Sequence, residues 1–222
     1  MDWQALWLSF RLGALAVLVL LPVSVFLGRL LATREIRGKP LIEAAIALPL
    51  VLPPTVLGFY LLVSFGSGSW VGAVWQRLFG HTLVFTFEGL LIASVIVNIP
   101  FALQPAQRAF EAIGTEIREA AVTCGLSWWR SLWRIELPLA WPGILTGMVL
   151  TFAHTLGEFG VVLMVGGSIP GETRTIAIAI YDRVQAFDDV AAGRMAAVLL
   201  AISLVTIALS YALTRRIDRS HG

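Results

Sequence analysis

Apolar residues along this chain come in long blocks, not in short alternations. Leu12 to Leu31 is interrupted only by Arg29 near its end, and Ile46 to Phe65, Gly89 to Gln107 and Leu137 to Gly157 contain no Asp, Glu, Lys or Arg. Met195 to Thr214 forms a fifth such block. Crossing about 30 Å of hydrocarbon takes about 20 apolar helical residues, so five transmembrane helices are predicted over 12–31, 46–65, 89–107, 137–157 and 195–214. Helices rather than loops are expected because a backbone facing lipid must satisfy its own hydrogen bonds. Pro49, Pro53 and Pro54 fall inside the second block. They predict a kinked or partly broken helix packed against protein.

Composition agrees with this pattern. Of 222 residues, 58% are hydrophobic and only 14% charged, against about 25% charged in a soluble domain. The expected fold class is an all-α polytopic membrane protein forming one domain over residues 9–214. Its orientation follows from the basic residues. Arg29, Arg34, Arg37 and Lys39 follow the first block, Arg108, Arg118, Arg130 and Arg134 the third, and Arg215, Arg216 and Arg219 the fifth. The other side holds Arg11, Arg77, Arg174, Arg183 and Arg194. The excess of Lys and Arg marks the cytoplasmic side, which places the N-terminus in the periplasm and the C-terminus in the cytoplasm. The net charge of +2 reflects this topology and gives no indication of nucleic-acid binding. The single cysteine, Cys124, rules out an internal disulfide and reads as inert packing. The first apolar stretch is expected to stay in place as an anchor, without cleavage.

Between the third and fourth blocks the chain keeps a polar, Trp-rich loop, residues 106–137, on the predicted cytoplasmic side. Ile117, Ala120, Ala121 and Cys124 recur at helical spacing and give one small apolar face. Gly125 can close that helix in a left-handed cap and Ser127 can cap the next, which carries Trp128, Trp129, Trp133, Arg130 and Arg134. Pro138 is expected to end the exposed part where the fourth span begins. One reading of the second helix is an amphipathic segment resting on lipid headgroups. An Ala-Ala face suits instead the close approach of another protein. Two helices about a glycine turn make a knob that fits a socket.

The residues of this loop carry a resemblance. Glu119-Ala120-Ala121, three residues, Gly125, nine residues, then Ile135-x-Leu137-Pro138 places seven specified residues over twenty positions. That spacing matches the EAA loop of ABC importer permeases and implies their type I transmembrane fold. The resemblance implies that the loop docks into an ATP-hydrolysing subunit, with Glu119 in polar contact and Gly125 allowing the turn. The chain has no phosphate-binding G-x-x-x-x-G-K-[ST] loop, so the ATP and Mg would be used by a dimer of separate cytoplasmic ABC ATPases. No catalytic residue, metal site or cofactor is expected in this chain.

Further along, "LGEFG" and "IPGETRT", between His154 and Tyr181, and "LPLVLPP" at 48–54 resemble the molybdate branch of these permeases, with sulfate permeases close behind. The resemblance implies a bacterial inner-membrane importer subunit for molybdate; sulfate, thiosulfate or tungstate are the alternatives. It also implies a second copy of the chain, with the path at the two-fold interface, and a periplasmic molybdate-binding protein docking on residues 66–83 and 164–193. For the path or gate the candidates are Thr151, His154, Thr155, Gly157, Glu158 and Gly160. A carboxylate repels an oxyanion, so Glu158 reads as a brace hydrogen-bonded to backbone N–H groups, with His154 one turn earlier as its partner. Thr151 and Thr155 share a face that either lines a pore or packs helices closely, and Gly157, Gly160, Gly166 and Gly167 admit either close approach of an ion or helix packing. Asn98 is expected to hydrogen-bond between helices.

Two other classes fare worse. An intramembrane enzyme needs a constellation, and only His154, Glu158 and Glu88 are titratable near the membrane. An ATP-independent anion carrier would leave the loop unexplained, and such carriers often show inverted repeats, of which there is no sign here.

Overall fold

The computed structural model describes residues 1–220; within its last helix the side chains of Arg215, Arg216 and Arg219 lie outside the described residues. No strand occurs among the described residues. The helices are α1 Trp3–Thr33, α2 Lys39–Val51, α3 Pro54–Phe65, α4 Trp70–Phe79, α5 Phe87–Glu111, α6 Thr115–Thr123, α7 Trp128–Ser131, α8 Leu137–Gly157, α9 Gly160–Gly166, α10 Ile176–Gln185 and α11 Asp189–Ser220. Among the described residues, four helical stretches are long and apolar enough to cross a membrane, and α2 with α3 adds a fifth if that pair counts as one span. The helices overrun most of the apolar blocks because their ends carry caps: Asp2 accepts from Ala5 N–H at 3.0 Å and Thr86 from Gly89 N–H at 3.2 Å. These carboxyl and hydroxyl oxygens satisfy donors that the first helical turn leaves free.

The second span is broken outright. Its halves meet at 109°, with Leu52 and Pro53 extended between them. Pro53 and Pro54 lack N–H groups and hold the preceding residue away from helical geometry, so the ladder stops there. The expectation that this span packs against protein holds for only one half. α3 buries Gly58, Leu61 and Phe65, whereas α2 has no buried residue among its thirteen.

α1, α5 and α8 form the centre. Leu12, Ala16 and Leu20 of α1 are buried there with Leu90, Ala102 and Leu103 of α5 and Ile144 and Met148 of α8. Removing such side chains from water or lipid into a tight core rests on dispersion contacts as much as on the hydrophobic effect, since lipid tails are themselves apolar. α9 fills the groove between α3 and α5: Val161 and Val165 pack with Leu61, Phe65, Ala93 and Val97. At Gly160 a Cβ would lie 2.7 Å from Cβ of Pro54, so this position admits only glycine without a shift of α3. The break between α8 and α9 therefore sits against the break between α2 and α3.

The polar loop differs from expectation in four respects. α5 runs on to Glu111 and takes over the loop's first residues. Ser127 stands at the start of α7 with extended backbone, yet its side chain makes no capping hydrogen bond. Pro138 stands in the first turn of α8, where the fourth span is expected to begin, but no break separates it from the loop: helix continues from Trp128 through a π-helical turn, Leu132–Glu136, into α8. Pro138 has no N–H to give, so the turn before it widens and Leu137 N–H bonds back to the carbonyl of Leu132; single π turns of this kind relieve a proline's missing bond. Cys124 is exposed, at the C-cap of α6, and packs no core.

Candidate coupling knob and intramembrane polar cluster

α6 stands at the end of the bundle where α1 and α5 finish and α8 begins. Gly125 follows it with φ of +73°. Leu126 N–H donates to the Ala121 carbonyl at 3.0 Å and Gly125 N–H to the Val122 carbonyl at 2.9 Å. These two bonds close the helix in a Schellman turn, as a left-handed glycine permits. Of the face read from the sequence, only Ala121 is buried; Ile117, Ala120 and Cys124 are exposed together with Glu119 and Val122. The knob thus presents a small, largely uncommitted surface and buries one alanine against its own chain. Ile135 and Leu137 are half-buried and Pro138 exposed, on the segment that leads into α8.

A carboxylate that the sequence reading passed over fastens this end. Glu136 occupies the unspecified position of Ile135-x-Leu137-Pro138 and is 1% exposed. Arg29 Nε donates to its Oε2 at 2.8 Å and Arg29 Nη2 to its Oε1 at 2.6 Å. Ser131 Oγ donates to Oε1 at 3.0 Å, and Arg118 Nε lies 3.5 Å from Oε2. Arg118 Nη2 in turn donates to the Phe110 carbonyl at the end of α5, and the Arg29 guanidinium lies 4.8 Å from the centre of the Trp128 ring. Two-pronged Arg–carboxylate bonds are the strong, directional kind. In the sequence Arg29 counted only as a basic residue at a span's end, and no periodicity links it to a partner 107 residues away. A lone charge inside an apolar block was the available signal.

At the other end of α8 the candidate path residues divide. His154 Nδ1 lies 3.1 Å from Asn98 Oδ1, and Asn98 Nδ2 donates to Thr155 Oγ1 at 3.1 Å and to the Ser94 carbonyl at 2.8 Å. Asn98 already donates from its amide nitrogen, so its oxygen accepts and the His154 Nδ1 carries the proton. His154 Nε2 lies 3.6 Å from Glu158 Oε2, and Phe101 stacks on the imidazole at 4.2 Å between centres. Glu158 Oε1 accepts from Val161 N–H at 3.0 Å, a cap on the first turn of α9. Thr151 and Thr155 are fully buried, and Thr155 Oγ1 donates to the Thr151 carbonyl at 2.8 Å; within the chain both are enclosed, Thr155 against Asn98 of α5. Gly157 is exposed, with nothing within 4 Å of where a Cβ would stand. Gly160 is the close-packing position described above. Among the described residues no group of three or more His, Cys, Asp or Glu is placed to hold a metal.

Near the knob, a cleft of about 740 Å³ opens between α2 and α5, lined among others by Lys39, Glu43, Gln104, Gln107, Arg108 and Glu111. Gln107 Nε2 bridges Glu43 at 2.7 Å and Glu111 at 2.9 Å, and Lys39 Nζ lies 3.5 Å from Glu111. These polar ties hold α2, which buries nothing.

A broken span, intramembrane polar groups and an exposed knob at one end fit a membrane-embedded transport component. The chain belongs to the family of binding-protein-dependent transport system inner membrane components, whose model matches residues 7–220. It is 45% identical over 96% of its length to the molybdenum transport system permease protein ModB of Azotobacter vinelandii, covering 95% of that protein. To ModB of Escherichia coli K12 it is 38% identical over 96% of its length and 94% of that protein's. The sulfate transport system permease protein CysW of Synechococcus elongatus is 32% identical over 97% of the chain and 75% of CysW. A bacterial alginate ABC transporter, solved with a periplasmic protein carrying an alginate pentasaccharide, shares the fold: the TM-score is 0.77 at 18% identity, over 96% of this chain and 78% of that one. The chain is accordingly a multi-pass inner-membrane protein with the fold of an ABC importer permease.

Proposed function

We propose that the chain is the permease subunit of an ATP-driven importer of molybdate. Two copies form the path, two ATP-hydrolysing subunits seat the α6 knobs on the cytoplasmic side, and a periplasmic protein delivers the anion. The N-terminus lies outside and the C-terminus inside. The observation that carries this reading is the knob itself: an exposed helix closed by a left-handed glycine and linked through Arg118 to a buried Arg29–Glu136 pair at the ends of the spans. Molybdate is favoured because relatives matched over nearly their whole length are molybdenum permeases, the sulfate permease being less similar. The cleft between α2 and α5 forms the inner part of the path. Glu158 braces the break between α8 and α9 and does not contact the anion, since two negative charges repel. His154, Thr151, Thr155, Gly157 and Gly160 shape that region.

The test is uptake of labelled molybdate into proteoliposomes holding this chain, its ATPase and its binding protein, with and without ATP. Uptake that needs ATP and is blocked by tungstate but not by sulfate supports the reading. Efficient block by sulfate moves the chain to the sulfate branch. Uptake indifferent to ATP makes it a carrier of another class.

A further inference from the structure

Resting on the reading of α6 as the ATPase-docking element, we propose that Arg29 and Glu136 are positioning residues that carry the movement of α6 into the spans. The proposal concerns transmission, not docking. α6 is poorly moored: it buries Ala121 alone, and its side-chain route inward runs through Arg118. That guanidinium reaches both the end of α5, at the Phe110 carbonyl, and Glu136. Glu136 opens α8 and is held two-pronged by Arg29 of α1. One buried carboxylate therefore joins α6, α7, α8 and α1, with α5 one bond away.

Chemistry favours a stiff joint. Both Glu136 oxygens accept from Arg29, and the planar fork permits little rotation. Ser131 fixes Oε1 from the side, and the Trp128 face covers the guanidinium. A push on α6 thus shifts the carboxylate and Arg29 together. The π-helical turn at Leu132–Glu136 places the carboxylate where the ladder is already interrupted, so α8 can tilt there without a regular hydrogen bond being broken.

The experiment uses the full chain in proteoliposomes with its ATPase, its binding protein and molybdate. Two quantities are read: the ATPase concentration that half-saturates stimulated hydrolysis, and molybdate transported per ATP hydrolysed. Glu136→Gln keeps the shape but loses the charge-assisted bonds. It is expected to leave half-saturation unchanged and to lower transport per ATP about tenfold, the size of one lost charged hydrogen bond. Arg29→Lys keeps the charge and loses the fork; it is expected to show the same split at about threefold. This variant decides the matter if the buried Gln prevents accumulation. Weakened half-saturation with transport per ATP intact would make the pair a mere support of the docking surface and overturn the proposal. Wild-type coupling in Arg29→Lys overturns it as well. Gly125→Asp serves as the separate check: if ATPase binding survives that change, the docking role of α6 fails, whatever the pair does.

Discussion

The turn at Gly125 offers a graded test of what the knob requires. Its φ of +73° lies in the left-handed region, yet a Cβ there would meet nothing within 4 Å in this chain. Gly125→Ala therefore brings no clash and costs only the left-handed conformation, about 1–2 kcal/mol. That cost acts on the two Schellman bonds and not on the fold, because α6 contributes one buried residue to it. If docking requires the closed turn, apparent affinity for the ATPase falls by the fraction of turn lost, about 5-fold to 30-fold for Ala. Asn visits the left-handed region more easily than Ala, so Gly125→Asn is expected to lose less despite its greater size. Half-saturation of ATPase stimulation, measured on protein whose thermal unfolding is unchanged, orders the three. If Asn binds worse than Ala, the empty space over Gly125 matters and the turn does not. Equal binding by all three would refute a role for this turn.

Other positions give independent checks. At Gly147 a Cβ would lie 2.8 Å from the Ala102 carbonyl oxygen and 3.2 Å from that of Phe101; backbone cannot yield there, so Gly147→Val should destabilise by about 1–3 kcal/mol in detergent unfolding. Gly157→Ala meets open space at the end of α8 and should leave stability unchanged or raise it by up to about 1 kcal/mol. A loss of uptake in that stable variant is the expected sign of a position on the path. Asn98→Ala removes the partner of His154, Thr155 and the Ser94 carbonyl, and at about 0.6 kcal/mol per intramembrane hydrogen bond should cost about 1–2 kcal/mol of thermal stability.

What could be read from the sequence was whatever repeats along it. Five apolar blocks forecast the spans because burial in lipid must be continuous over about 20 residues. Gly125 was legible as a cap because a left-handed residue after a helix nearly selects glycine. Contacts across the fold left no such trace. Arg29 and Glu136 lie at opposite ends of a long separation, and each looks like an ordinary residue at a span boundary. Pro53 announced a break but not its 109° angle, which depends on how α3 finds α9. Pro138 marked the start of the fourth span, but not the wide turn that lets the loop's helix run into it without a break. His154 with Glu158 was legible, since an i,i+4 pair is local; the bond to Asn98 on α5 that sets the imidazole tautomer was not.

The contact between Pro54 and Gly160 has a kinematic consequence. An unbroken rod crossing a bilayer tilts as one piece, so whatever displaces its inner tip displaces its outer tip in the opposite sense. The second span is such a rod cut in two, and its cut touches the end of the fourth span. α3 can then stay clasped to α9 as a fixed upper storey while α2, which buries nothing, swings beneath it. In such a layout one side of the molecule can change shape without obliging the other to follow.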